Sequence, residues 1–278
     1  MKEENKCLSN KVQVEMAIKD KYFAMWRASE KEKDKIKNSR IVLHGSSKGA
    51  DKQDTDILNI SPSLLEDIDG VDEIGKGRFG TVCLKKFRST PVAVKYFNLS
   101  STAKVVEREA MYLRRCCHIN LPILYGINVK EKPFFIVSQY HGNESFKAFT
   151  LQNIIREDAG ITISGSEHWL YIVNQLVDGL YYLHGKEILH NDIKNDNIVV
   201  HSSSGKFSLV LIDFGKACLV KEGKTKALSS AEKSRYYKEH YHIAPEVIEG
   251  QFPQSVKSDV YSAGVVIASL FSSVSTGH

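Results

Sequence analysis

The sequence lacks the features of a secreted or membrane-spanning protein. Its five cysteines, Cys7, Cys83, Cys116, Cys117 and Cys218, are odd in number and contain no C-x-x-C pair. That spacing excludes a disulfide framework and a paired-cysteine metal clamp, and reduced thiols in a reducing compartment fit it best. No long hydrophobic run is present. The longest, Ala263 to Phe271, is broken by Gly264 and Ser269 and falls far short of the roughly 20 residues of a membrane span, so it reads as a buried helix. The opening residues Met1-Lys2-Glu3-Glu4-Asn5 have no apolar run behind them, which excludes a secretory signal at this position. The expected compartment is the cytosol, with the nucleus second. No large excess of one charge exists either: 38 basic minus 33 acidic side chains leaves +5, which a solvated lysine-rich face explains without nucleic acid. Neither a nucleic-acid nor a membrane partner is expected, no repeat is visible, and nothing sets an oligomeric state.

What is present suits a globular protein with real cores. The 278 residues are 42% hydrophobic and 26% charged, the ordinary balance of a soluble domain. Residues 1 to about 40 are charged, with one helix-like patch from Val12 through Met16, Ile18, Tyr22, Phe23, Met25 and Trp26. Docking on the following domain and a loosely ordered arm both account for that patch. Residues 45–63, rich in Gly, Ser, Asp and Lys and ending at Ser61-Pro62-Ser63, read as a linker. From Val71 short β-rich runs follow: Val71–Ile74, Thr81–Lys85, Val92–Phe97 and Phe134–Val137, interrupted by a helical segment from about Ala103 to Arg115. Beyond residue 150 the period becomes helical. Trp169, Ile172, Val173, Leu176, Leu180 and Leu183 mark one deeply buried face, and strand-like pieces then flank residues 196–213. A β-rich half followed by a helix-rich half predicts an α+β fold with a cleft between them.

Several segments carry chemistry. Gly75-Lys76-Gly77-Arg78-Phe79-Gly80-Thr81-Val82 is a G-x-G-x-x-G-x-V pattern whose glycines let backbone N–H groups approach phosphate oxygens. A turn or a dinucleotide-binding loop matches it too, but the latter needs a helix directly after the glycines, and Thr81-Val82-Cys83-Leu84 reads as a strand. Lys95 ends the apolar Val92-Ala93-Val94 run and requires either solvent or a partner. Glu109 and Glu107 on the helical segment both qualify as that partner, and helix phase alone does not choose between them. His190-Asn191-Asp192-Ile193-Lys194-Asn195-Asp196-Asn197 places a carboxylate, an ammonium and a carboxamide on a loop between buried elements; a polar surface turn is the alternative. Asp213-Phe214-Gly215 follows apolar Leu209-Val210-Leu211-Ile212, a position suited to holding a hard divalent cation. Ala244-Pro245-Glu246 and Ser258-Asp259-Val260-Tyr261 come after it.

In order and spacing these segments resemble the protein kinase signature set across residues 71 to 275: Gly-rich loop, V-A-V-K, H-x-D-x-K-x-x-N, D-F-G and A-P-E. The resemblance implies a bilobal α+β fold, with a small antiparallel β-sheet N-lobe plus one helix and a helical, incomplete C-lobe. It divides the chain into an arm and linker at 1–63, partly helical or disordered, and a kinase domain at 64–278, with its N-lobe at about 68–140 and C-lobe at about 141–278. It implies ATP and Mg2+ as cofactors, a protein substrate, and transfer of the γ-phosphate to a hydroxyl. Gly75, Gly77 and Gly80 would cover the phosphates, and Ile74, Val82, Ala93 and Val199 would sandwich the adenine. Lys95 would grip the phosphates, positioned by Glu109. His118-Ile119-Asn120 falls after the regulatory helix, and Ile136–His141 forms the hinge. There Ser138 is a small gatekeeper, and the backbones of Gln139 and His141 meet the adenine edge. Asn197 and Asp213 would hold magnesium, Asp192 would accept or orient the substrate hydroxyl, and Lys194 would steady the γ-phosphate. Lys194 resembles the Ser/Thr form; a tyrosine kinase and a kinase-fold scaffold without phosphotransfer are the alternatives.

The chain also departs from the pattern. Asn191 stands where an arginine normally pairs with a phosphate on the activation segment, so phosphorylation there is expected to matter less. Lys238 and Glu239 replace the usual Gly-Thr pair, whose Thr would bridge Asp192 and Lys194. His240-Tyr241-His242 suggests a metal site but reads better as ordinary packing, since no further ligand stands at helical or hairpin spacing. The family's remaining C-terminal helices are absent from this sequence. Glu246 is therefore expected to lack its arginine partner and the apolar face of 260–272 its cover, as in a fragment or an incomplete gene model.

Overall fold

In the computed structural model, residues 57–70, 73–143, 148–156, 163, 165–203, 206–225 and 227–274 are described. The expectations for the aromatic patch and for the arm up to residue 56 lie outside the described residues. The N-terminal half contains β1 (Leu65–Asp67), β2 (Glu73–Gly77), β3 (Gly80–Phe87), β4 (Thr90–Phe97), α1 (Ala103–Arg114), β5 (Leu124–Asn128) and β6 (Phe135–Gln139). They form one antiparallel sheet in the order β1-β3-β4-β6-β5, with β2 also paired to β3.

Side chains of period two build the core of this half. On β4, Val92 and Val94 are buried on one face, while Ala93, Lys95 and Phe97 alternate to the other, where Lys95 Nζ lies 5.3 Å from the Phe97 ring centroid. Val92 and Val94 pack with Ile60, Phe87, Phe135 and Val137. The glycine-rich segment is a hairpin: β2 runs through Gly75 to Gly77 and pairs with β3, which Gly80 opens. A Cβ at Gly80 would stand 1.9 Å from the Tyr96 carbonyl oxygen, so only glycine lets β3 pass β4 there.

Two elements escape the sequence reading. Gly126 in the centre of β5 weakens its strand signal, yet a Cβ there would lie 2.4 Å from the Leu58 carbonyl oxygen. Leu58 to Ile60 crosses at that point: Ile127 N donates to Leu58 O (2.9 Å) and Ile60 N to Ile127 O (2.7 Å). Residues 57–63, read as linker, are thus partly built into the sheet, with Ile60 only 1% exposed and covering the β5 edge. The sheet also begins before residue 68, because β1 pairs with β3 from Leu65.

The C-terminal half contains β7 (Phe149–Thr150), α2 (Leu151–Ile155), α3 (Ser166–Gly185), β8 (Ile188–Leu189), β9 (Ile198–Ser203), β10 (Lys206–Leu211), β11 (Cys218–Leu219), α4 (Ser230–Glu239), α5 (Pro245–Ile248) and α6 (Val256–Val274). The short strands pair antiparallel as β10-β9-β7 and β11-β8. The anticipated face of α3 is buried at Trp169, Ile172, Val173, Leu176, Leu180 and Leu183. On α6 the expectation of an uncovered apolar face is wrong: Ala263, Val266, Ile267 and Leu270 are all buried. Helix α4 is not foreseen, because its core-facing side lacks apolar residues. A capping box, in which the Ser229 hydroxyl accepts from Glu232 N, starts it. Lys233 Nζ (2.6 Å) and Tyr237 OH (2.8 Å) then donate to Glu249 beyond α5.

If Leu58–Ile60 belongs to the sheet, Ile60→Ala should cost about 2–5 kcal/mol of unfolding free energy in denaturant titration, the range for a fully buried isoleucine. A linker residue would cost nothing measurable.

Candidate active site

The site begins with Lys95. Strand β4 carries it opposite Val82 of β3 and Ile136 of β6, on the face away from Val94. Its ammonium donates to Glu109 Oε1 (2.8 Å) and Oε2 (3.0 Å) and to Asp213 Oδ1 (2.7 Å). Glu109, not Glu107, is the partner, because α1 buries Val106, Glu109, Ala110 and Leu113 and leaves Glu107 exposed. Burial would lower the lysine's proton affinity, but the Glu109 and Asp213 carboxylates outweigh it and hold Lys95 above its ordinary range. Burial likewise opposes ionisation of Asp213, yet the Lys95 charge and a Gly215 N–H at 3.3 Å keep its carboxyl below the usual range. Asp213 has left-handed backbone (φ 66), which aims its side chain back at Lys95.

The second part is the loop His190–Asn197 between β8 and β9. It is hung from Asp259 near the start of α6. His190 N (2.8 Å) and Asn191 N (2.9 Å) donate to the two carboxylate oxygens, and His184 Nε2 lies 3.1 Å from Oδ2. Asp259 is 1% exposed, and the sequence reading noted it only as opening a helix. An aspartate buried at the head of an apolar helix was the available signal. Asn191 takes the left-handed conformation (φ 62) and donates to Lys216 O (3.2 Å) and Cys218 Sγ (3.1 Å). His190 packs edge-on to Phe214, with its Nε2 3.2 Å from Ile212 O.

Asp192 is 4% exposed, and both its oxygens are engaged. Oδ2 accepts from Asn197 Nδ2 (3.0 Å) and has Lys194 Nζ at 3.8 Å; Oδ1 accepts from Lys216 Nζ (2.7 Å). Burial raises its proton affinity, but the His242 ring and the Lys216 and Lys194 ammonium groups override it, placing the carboxyl far below the usual range. Lys216, which directly follows Gly215, was missed; nothing in the sequence pairs it with Asp192. Lys95 reaches Asp213 at 2.7 Å, and Lys216, on the same turn as Asp213, reaches Asp192 at 2.7 Å, so all three converge on one crevice.

The residues expected around a nucleobase occupy both halves. Gly75 pairs with Val82 across β2 and β3, and Ala93 faces Ser138 across β4 and β6; Ile74 is half-buried. Val199, 6% exposed, lies on β9 between Val210 and Thr150. Gln139 N donates to Ile123 O (2.8 Å), so a backbone contact from Gln139 to a ligand falls to its carbonyl. The His141 and His201 rings lie 6.0 Å apart, and among the described residues neither His141 Nε2 nor His201 Nδ1 has a hydrogen-bond partner.

Burial, and the neighbouring His201, push His141 down from 6.5 to about 4. The unfolded chain therefore binds this proton more readily than the fold does. Stability carried by neutral His141 is present above pH 6.5 and is lost as the pH falls toward about 4. His141→Phe should flatten the urea-midpoint profile across that window, and an unchanged slope would show that this ring does not contribute.

The comparisons with known proteins agree with this geometry. The model of the protein kinase domain matches residues 69–276. Tyrosine-protein kinase Src64B of Drosophila melanogaster is 29% identical over 84% of this chain and 42% of its own length. Human mitogen-activated protein kinase kinase kinase 7 is 29% identical over 76% of this chain and 32% of its own. The serine/threonine-protein kinase dst2 of Dictyostelium discoideum is 30% identical over 72% of this chain and 17% of its own. The chain thus spans well under half the length of these relatives. With a matched model covering most of its residues and the crevice just described, the chain belongs to the protein kinase domain family.

Proposed function

We propose that this chain is an ATP-dependent protein kinase that phosphorylates serine or threonine hydroxyls of protein substrates in the cytosol. The observation that carries the reading is the Lys95 ammonium, held between Glu109 and Asp213 at 2.7–3.0 Å. Such a preorganised charge suits a triphosphate better than it suits a purely structural ion pair, because phosphoryl transfer needs positioning and charge neutralisation above all. Two oxygens remain for a cation: Asp213 Oδ2, which accepts nothing from the described residues, and the side-chain Oδ1 of Asn197, whose Nδ2 is spent on Asp192. Among the described residues no group of three or more His, Cys, Asp or Glu could hold a metal alone, which fits an ion that takes its other ligands from phosphate and water. When bound there, magnesium supplies charge neutralisation across the phosphates.

The residues then act in sequence. Lys95 binds the α- and β-phosphate oxygens, and Glu109 keeps it in place. Asp192 orients the acceptor hydroxyl and takes its proton as the oxygen bonds to the γ-phosphorus. The bond from that phosphorus to the β–γ bridging oxygen breaks with its electron pair, leaving ADP. Lys194, beside Asp192 at 3.8 Å, balances charge at the γ-phosphate. Its presence two residues after Asp192 supports serine and threonine over tyrosine.

Asp192→Asn and Lys95→Met should each lower transfer from labelled ATP to mixed Ser, Thr and Tyr peptides by about 10²–10⁴-fold, the range for losing a positioned acid–base or charge-stabilising group. Wild-type transfer no greater than the Asp192→Asn level would leave only a binding scaffold, and transfer confined to Tyr peptides would reverse the specificity. Asn191 is committed to Lys216 O and Cys218 Sγ and offers no cation to a phosphate. Replacing Thr225, Ser229, Ser230 and Ser234 together by alanine should therefore leave peptide kinase activity within about tenfold, the Ser229 cap being the main structural loss.

A further inference from the structure

His242 is buried, with 8% of its surface exposed, and its Nε2 has no hydrogen-bond partner among the described residues. A polar atom in that state costs free energy unless something completes it. Its backbone is pinned: the Ser262 hydroxyl of α6 donates to His242 O at 2.6 Å. The ring has only edge contacts with its neighbours His240 and Tyr241, so packing does not satisfy the nitrogen. The atom lies 3.7 Å from Asp192 Oδ1, too far for a hydrogen bond between the two. Both atoms are nevertheless within reach of one small group, because an oxygen can lie about 2.8 Å from each of two points at that separation. Oδ1 already takes Lys216 Nζ, and a carboxylate oxygen has room for a second donor. His242 also lines an open pocket with Lys194, Asp196, Glu239, His240 and Tyr241.

We propose that His242 is a second contact for the acceptor hydroxyl, holding its oxygen against Asp192. The inference rests on the protein kinase reading. The hydroxyl hydrogen points to Asp192 Oδ1, and His242 Nε2 meets the same oxygen from the other side. The imidazole takes no part in the nucleotide half of the site, where Lys95, Asn197 and Asp213 lie.

The test uses the full chain, ATP with magnesium, and degenerate peptides with one fixed Ser, Thr or Tyr. His242→Phe, which keeps a ring but no nitrogen, should lower peptide kcat/KM about tenfold or more, as for one lost hydrogen bond to a reacting group, with ATP KM within about twofold of wild type. His242→Gln, whose amide reaches the Nε2 position, should retain most of the activity; the shorter His242→Asn should behave like Phe. If the Phe variant fails to fold by circular dichroism, the Gln and Asn pair decides. Wild-type peptide kcat/KM in the Phe or Asn variant overturns the proposal. So does a Gln variant as impaired as Asn, or a loss matched by a rise in ATP KM. Wild-type transfer no better than Asp192→Asn removes this proposal and the kinase reading together; transfer kept by the wild type and the His242 variants alike removes only this one.

Discussion

A single ammonium organises the molecule. Burying Lys95 without partners would cost several kcal/mol, and the two carboxylates that relieve this cost sit 14 and 118 residues away in sequence. Neither carboxylate is itself comfortable alone, since burial raises the proton affinity of both Glu109 and Asp213. Lys95 makes each carboxylate more tolerable and both relieve its burial, although the two carboxylates repel each other, and β4, α1 and the turn after β10 come to one place. A sheet, a helix and a loop from the second half all contribute to this one cluster.

Hydrogen bonds reinforce the same arrangement around the C-terminal end of α1. Beyond its C-terminus, Asn120 Nδ2 donates to Leu209 O (2.8 Å) and Asn120 O accepts from Leu211 N (2.9 Å), tying the helix exit to the strand that leads to Asp213. Cys117 N donates to Tyr182 OH, and His118 stacks on the same ring, adding α3 to that joint. On another side Tyr112 OH donates to Glu222 Oε2 (3.0 Å), in the turn after β11. A helix held at three points keeps Glu109 facing Lys95 with no added phosphate, which accords with an asparagine at position 191.

The surroundings of Asp192 show how the chain replaces missing parts. Asn191 provides no positive charge, but its tolerance of left-handed backbone lets the loop turn so that two consecutive N–H groups meet Asp259. Lys216 supplies a cation to Asp192 from a position next to the turn that carries Asp213. His242 enters from the segment before α5, where Glu239 has taken the place of a hydroxyl residue. All three act at short range around one carboxylate, so each substitution is understandable only in company with the others.

Most of the site's membership was legible in the sequence. Glycines that free backbone N–H groups, a lysine closing an apolar strand, and a carboxylate with an ammonium and a carboxamide on one loop are local patterns, and local patterns survive in one dimension. The buried faces of α3 and β4 were legible for the same reason, because period 3.6 and period 2 follow from backbone geometry alone. Helix phase left Glu107 and Glu109 open, and only the packing of α1 on the sheet selected Glu109. Ile60 read as linker because its neighbours are polar, and its burial depends on Gly126 leaving room nearly seventy residues later. The partners of Asp259, Lys216 and His242 could not be read from the sequence, since they lie 69, 24 and 50 residues away. Sequence thus determined which chemical groups the crevice contains; the fold decided which of them meet, because a charge or hydrogen bond acts over a few ångströms of space whatever length of chain separates its ends.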